Sequence, residues 1–146
     1  MKMVIQVVDN ATLMVENKLI SKIEQGLVVF FCAEKGDNEN DLDFFAKKIA
    51  SLRIFSDSDG KTNLSIKDVG GEVLLVSQFT LAGDYYHGNR PSFINAEDFV
   101  VAKEKYEKLA SILKTEYSLA VKLGAFGEDM KITQTNAGPF TVFMEK

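Results

Sequence analysis

Apolar residues fall mostly into short runs between polar turns, and take up a helical spacing in only two stretches. The opening reads as a hairpin, with strands Met3–Val8 and Thr12–Val15 about a turn at Asp9-Asn10, and Lys18–Ile23 as a third short strand. Leu27–Ala33 (LVVFFCA) is uninterrupted apolar sequence, expected of a strand buried on both faces. After Gly36 the chain turns polar, and from about Glu39 to Leu52 the residues Leu42, Phe45, Ile49 and Leu52 recur at helical spacing, with Asp37 or Asn38 placed to cap the start. A second helix is predicted from about Ala96 to Glu116. Its inner face carries Phe99, Ala102, Tyr106, Leu109 and Leu113, and Asn95 with Asp98 resembles a capping box. The Gly70-Gly71 turn announces a strand at Glu72–Phe79, and Met130–Thr135 and Phe140–Met144 close the chain as two more.

Strands outnumber helices and both helices are one-sided. The simplest architecture is a mixed, α+β-like α/β fold, with a sheet curled into a barrel-like core and two helices packed outside it. No repeat or linker divides residues 1–146, a length that suits a single domain. The single cysteine, Cys32, excludes an internal disulfide and suits a reducing compartment; inside its apolar run it reads as core packing. The start MKMVIQVVDN is too short for a signal sequence, and Leu27–Ala33 falls far short of the roughly 20 apolar residues needed to cross a membrane. The expectation is a cytoplasmic protein with no membrane partner. A net charge of −4 argues against a general nucleic-acid coating role but not against reading one short RNA terminus through local contacts.

Two tempting signals carry little. Asp57, Asp59, Gly60 and Asn63 have the composition of a calcium loop, but the glycine falls fourth instead of sixth and Asp68 stands where a glutamate is needed, so a tight turn between strands is the better reading. His87 is the only histidine and lies in the polar stretch Tyr85–Arg90, where it reads as an exposed loop residue. With Cys32 buried it leaves no zinc set and no imidazole base for a serine triad, and neither metal nor other cofactor is expected.

Two segments are odd for their local structure. At Ser77-Gln78-Phe79-Thr80 an apolar strand breaks into hydroxyl and amide groups, which offers hydrogen-bond donors at one spot. At Asn136-Ala137-Gly138-Pro139-Phe140-Thr141 a proline interrupts strand pairing and the glycine before it allows close approach to the backbone. X-Pro bonds are cis in only about 5–6% of folded cases, so the residues by themselves suggest a trans turn. Together the two segments resemble the paired signature of the D-aminoacyl-tRNA deacylases, an SQFT-type motif followed by N-x-G-P-x-T. The resemblance extends to Met3-Val4-Ile5-Gln6, Arg53–Asp57, Gly88–Phe93, Gly124-Ala125-Phe126-Gly127 and Met130.

That resemblance implies a hydrolase of the ester joining a D-amino acid to the 3′ end of tRNA, extending to glycine mischarged on tRNA(Ala), in translation quality control. It implies a homodimer with active sites at the subunit interface, tRNA as partner and no DNA. Ser77, Gln78, Phe79 and Thr80 would form the catalytic segment. Gly138 and Pro139, held cis, would be a chiral gate reaching into the partner's pocket, and Phe126, Met130 and Asn136 would line the adenosine site. Thr80 as nucleophile lacks a base in either motif, which favours hydrolysis assisted by the 2′-hydroxyl of the terminal adenosine. Arg53, Arg90 and Lys122 are candidate tRNA contacts. The chain departs from the family pattern at Val7, where an arginine is common, and at Ala137 and Phe140. Alternatives are an editing deacylase of relaxed specificity that accepts small L-amino acids, and a non-catalytic tRNA-binding dimer.

Overall fold

A computed structural model describes Met1–Lys146. The uninterrupted apolar run becomes the middle strand of a six-stranded mixed sheet built from β1 (Lys2–Val15), β2 (Lys18–Ile23), β3 (Gly26–Cys32), β6 (Glu72–Ser77), β7 (Ala120–Leu123) and β8 (Lys131–Glu145). The order is β2-β1-β3-β6-β7, with β8 on the other edge of β1. β3, β6 and β7 run parallel, so each step between them needs a crossover; α1 (Asp41–Ser51) lies on the first and α2 (Phe99–Thr115) on the second. Ser21 Oγ on β2 donates to the Leu123 carbonyl on β7 at 2.5 Å, which brings the two ends of the order together into a nearly closed barrel.

Alternation along β3 and β6 explains their double burial. Leu27, Val29, Phe31, Val73 and Leu75 face the helices, where they meet Leu42, Phe45 and Ile49 of α1 and Tyr106, Leu109 and Leu113 of α2. Val28, Leu74 and Val76 face a smaller core with Val8, Ala11, Leu13 and Ile23. Tyr106 is buried with its hydroxyl donating to the Leu75 carbonyl at 2.7 Å, which satisfies the one polar atom in that layer. β3 and β6 approach so closely at Gly26 that a Cβ there would stand 1.9 Å from the Glu72 carbonyl oxygen.

Several elements differ from the sequence expectation. The opening is one strand of 14 residues, not a hairpin about Asp9-Asn10. Its first half pairs with β3 and its second with β2, while β8 follows it along nearly its whole length; Asp9-Asn10 is taken up as an irregularity where Val8 faces Asn136 and Asn10 faces Thr135. The turn comes later, at Glu16 and Asn17, both with positive φ (48° and 63°). The two closing strands are likewise one strand, β8. β6 stops at Ser77, and Phe79–Ala82 coils into a 3₁₀ turn.

The expected caps are not made. Asp37 instead takes the Met1 ammonium at 2.5 Å and the Glu34 N–H at 2.6 Å, and Asn38 Oδ1 takes the Asn40 N–H at 3.0 Å. Asp98 occupies the cap position of α2 without a side-chain bond. The Asp57 segment is a turn between β4 (Phe55–Ser56) and β5 (Thr62–Leu64). Asp57 Oδ1 accepts the Asp59 and Lys61 N–H groups, each at 3.0 Å, and these bonds with the Asn63 amide hold its carboxyl below its ordinary range.

Candidate active site

The site is built where β6 runs out. Gln78 N–H still bonds the Phe31 carbonyl of β3 at 2.8 Å, and the chain then coils, with Leu81 N–H closing on the Gln78 carbonyl at 3.2 Å. The N–H groups of Phe79 and Thr80 precede that first closed bond and so have no partner within the turn. Both residues are exposed, Phe79 to 58%. Gln78 Nε2 donates to Thr80 Oγ1, so the threonine hydroxyl is held by an amide donor and not by a base.

Ser77, Gln78 and Phe79 form a wall shared by two cavities. The larger, about 290 Å³, is mostly apolar and is lined by Phe31, Cys32, Phe99 and Phe126 among others, with the Glu97 carboxylate as its charged group. The smaller, about 270 Å³, lies on the other side against Met130, Ile132, Glu128 and Asp129. Phe126 and Met130 therefore flank the Ser77–Phe79 segment on opposite sides and do not share one pocket. Phe126 is fixed by edge contacts with Phe99 (5.1 Å between ring centroids) and a tilted contact with Tyr106 (5.4 Å).

The Gly-Pro element stands apart from both cavities. Gln6 on β1 faces Thr141 on β8, and Val8 faces Asn136; two steps on one strand are thus matched by five on the other, and Ala137–Phe140 bulge outward. The Gly138-Pro139 bond is cis and both residues are exposed. Ala137 and Phe140 anchor the bulge by packing against the main core. Val7 is buried in that core and braces nothing outside it. Side-chain amides span the bulge instead: Gln6 Nε2 donates to Thr141 Oγ1 (3.3 Å), and Gln134 Nε2 donates to Gln6 Oε1 (2.8 Å) and Asn136 Oδ1 (2.6 Å). Asn136 belongs to this clamp and lines neither cavity.

Glu97, Phe99 and Cys32 line the larger cavity without a local sequence signal to mark them. Glu97 precedes α2 and meets Lys105 at 2.9 Å, and that ammonium holds its carboxyl below the usual carboxylate range. Phe99, expected on the inner face of α2, is 61% exposed and serves the cavity. Cys32 is buried, and burial pushes its thiol up to about 11. Of the basic candidates, Arg53 is engaged with the Asn63 carbonyl at 2.6 Å, whereas Arg90 and Lys122 are exposed. His87 is exposed in its loop. No three His, Cys, Asp or Glu side chains cluster as metal ligands, and no helix is long and apolar enough to cross a membrane.

With this geometry in view, residues 4–145 match the family model described as D-Tyr-tRNA(Tyr) deacylase. A D-aminoacyl-tRNA deacylase of Thermosipho africanus is 45% identical over 99% of this chain and 97% of its own. One from Porphyromonas gingivalis (strain W83) is 42% identical over the same shares. Among solved structures, a c-Myc DNA unwinding element binding protein superposes with a TM-score of 0.94 at 34% identity, covering 100% of this chain and 99% of that one. A probable eukaryotic D-amino acid tRNA deacylase shares the fold, with a TM-score of 0.82 at 17% identity over 98% and 97% of the two chains.

Proposed function

The chain belongs to the D-Tyr-tRNA(Tyr) deacylase family, is a D-aminoacyl-tRNA deacylase and so hydrolyses an ester bond; from that premise we propose that the reaction runs at the strand end Ser77–Thr80, with stereochemistry set by Gly138-Pro139 of a second copy. The observation that carries this reading is the pair of N–H groups, of Phe79 and Thr80, that precede the first closed bond of the 3₁₀ turn and have no partner within it, at the lip of the two cavities. In this reading they bind the oxyanion that forms when the ester carbonyl is attacked, a contribution of about 2.7–4 kcal/mol per donor in comparable sites. The apolar cavity with Phe126 takes the terminal adenosine.

Gln78 positions the ester through its contact with Thr80. Because the only side chain bonded to the Thr80 hydroxyl is a neutral amide, attack is by water assisted by the ribose 2′-hydroxyl, which lies beside the ester and needs no further positioning. Water adds to the carbonyl carbon, the bond from that carbon to the ribose oxygen breaks, and the ribose oxygen takes one of the water's protons as it leaves.

Discrimination comes from the backbone. Gly138 and Pro139 are carried outward on a bulge and meet neither cavity of their own subunit, which supports a homodimeric site in which each bulge enters the partner's pocket. Their carbonyls leave room for hydrogen on the substrate α-carbon and clash with an L side chain, while a D side chain points away. Glycine passes such a gate, so glycyl-tRNA(Ala) is a second substrate, and the role is translation quality control. Purified protein should release D-tyrosine from D-tyrosyl-tRNA and leave L-tyrosyl-tRNA intact. Cleavage of both would establish the relaxed editing reading, and cleavage of neither would leave a tRNA-binding dimer.

A further inference from the structure

We propose that the hairpin Asp84–Ser92, with Phe79 and Phe93 at its foot, is a stacking platform for the unpaired nucleotides preceding the terminal adenosine, an inference that rests on the function proposed above. Aromatic rings lead continuously out of the larger cavity. Phe79 lines that cavity and packs edge-on against Phe93 with centroids 5.1 Å apart. Phe93 and Tyr85 then close together over Gly83, where a Cβ would lie 2.9 Å from Tyr85 Cε1 and 3.0 Å from Phe93 Cε1.

The hairpin is held at its base by two Asp84–Ser92 backbone bonds of 2.8 Å each, and Asp84 Oδ1 accepts the Tyr86 N–H at 3.0 Å. Tyr85 is 60% exposed and Tyr86 90%, and neither hydroxyl makes a hydrogen bond within the protein. On the same hairpin Arg90 is exposed and forms no ion pair, while the Asp84 carboxylate is engaged with backbone.

Planar rings left in water on the same hairpin as an unpaired guanidinium suit bases and a phosphate, because every base has a face to stack and the chain between bases is anionic. The occupant follows from continuity. A tRNA whose last adenosine fills the Phe126 cavity leaves it past Phe79, so the nucleotides before that adenosine run over Phe93, Tyr85 and Tyr86. Stacking reads no particular base, in keeping with an enzyme that meets the same single-stranded end on every tRNA. It also reconciles RNA binding with a chain of net charge −4, since affinity comes from ring faces and one cation instead of a basic surface.

The probe is the RNA tetranucleotide ACCA carrying a 5′ fluorophore, followed by its fluorescence anisotropy. The expected result is binding of ACCA by wild type, weakened about tenfold in Tyr85→Ala and in Tyr86→Ala, and near-normal in the Tyr→Phe variants. For D-tyrosyl-tRNA the alanine variants should raise KM at constant kcat, yet hydrolyse D-tyrosyl-adenosine, which lacks the upstream nucleotides, at the wild-type rate. Equal KM in wild type and alanine variants would overturn the platform, as would an equal loss on D-tyrosyl-adenosine. If wild type cleaves neither ester the deacylation reading falls, and the ACCA titration alone decides: binding by wild type that the double alanine variant loses upholds the platform, and no binding by wild type overturns it.

Discussion

Gln134 Nε2 donates to Gln6 Oε1 at 2.8 Å, joining β8 to β1 at the place where their register breaks and the Gly-Pro bulge leaves the sheet. The same nitrogen holds Asn136 at one foot of the bulge, and Gln6 holds Thr141 at the other. Gln134 Oε1 is buried without a partner, so the amide uses its donors on the bulge and leaves its acceptor unpaired. Gln134→Leu removes two hydrogen bonds of about 1 kcal/mol each together with one orphaned acceptor that costs about 1–3 kcal/mol, so the opposing effects should leave stability within about 1 kcal/mol of wild type. The feet of the bulge lose their clamp, and hydrolysis of L-tyrosyl-tRNA should rise about tenfold relative to D. Parallel rate measurements on the two esters check this; an unchanged ratio with normal melting would separate the clamp from selectivity.

Gly138 sits at φ +114°, and a Cβ there would stand 2.7 Å from the Phe140 backbone nitrogen. Gly138→Ala must shift the bulge against the anchored Phe140, at a cost of about 1–3 kcal/mol. D-tyrosyl-tRNA hydrolysis should fall at least tenfold while the secondary structure, read by circular dichroism, persists. A wild-type rate would take Gly138 out of the site.

Thr80 is bonded by the Gln78 amide, which has no basic lone pair to offer a nucleophile. Thr80→Ala should therefore cost less than about tenfold in kcat, whereas D-tyrosyl-tRNA ending in 2′-deoxyadenosine should be turned over at least a hundredfold more slowly. A loss beyond a thousandfold in Thr80→Ala would make the threonine the nucleophile.

Cys32 is buried beside the cavity, and burial first, with the Glu34 charge second, lifts its thiol from 9.0 to about 11. The folded state thus keeps the proton that the unfolded chain releases. The stability this provides is complete below about pH 9 and is lost as pH rises towards 11, with a magnitude on the order of 2 kcal/mol. Urea denaturation of wild type and Cys32→Ala at pH 8 and pH 10.5 tests it, since the alanine variant shares every lysine titration. The wild type should lose more stability between the two pH values than the variant does. Equal losses would mean that the thiol ionises as freely in the fold as out of it.

By itself the sequence determined what short-range chemistry controls. The apolar run at Leu27–Ala33 had to be a strand buried on both faces, and the spacing of Leu42, Phe45 and Ile49 had to be one side of a helix, because burial follows local periodicity. The polar break at Ser77–Thr80 and the Asn136–Thr141 segment were visible as residue choices that strands ordinarily avoid. Only the tertiary structure decided features that depend on partners far along the chain. Asp9-Asn10 has the composition of a turn, yet β8, more than 120 residues on, pairs across it and keeps β1 continuous. Ala120–Leu123 is too short to announce itself and is a strand because β6 pairs with it. Asp37 caps no helix because α1 begins only at Asp41, and its carboxylate takes the Met1 ammonium, a charge brought to it by folding, and the Glu34 N–H instead. Cys32 ends β3, Phe99 begins α2 and Glu97 lies just before it, and only the packing of α2 over β3 gathers them around one cavity.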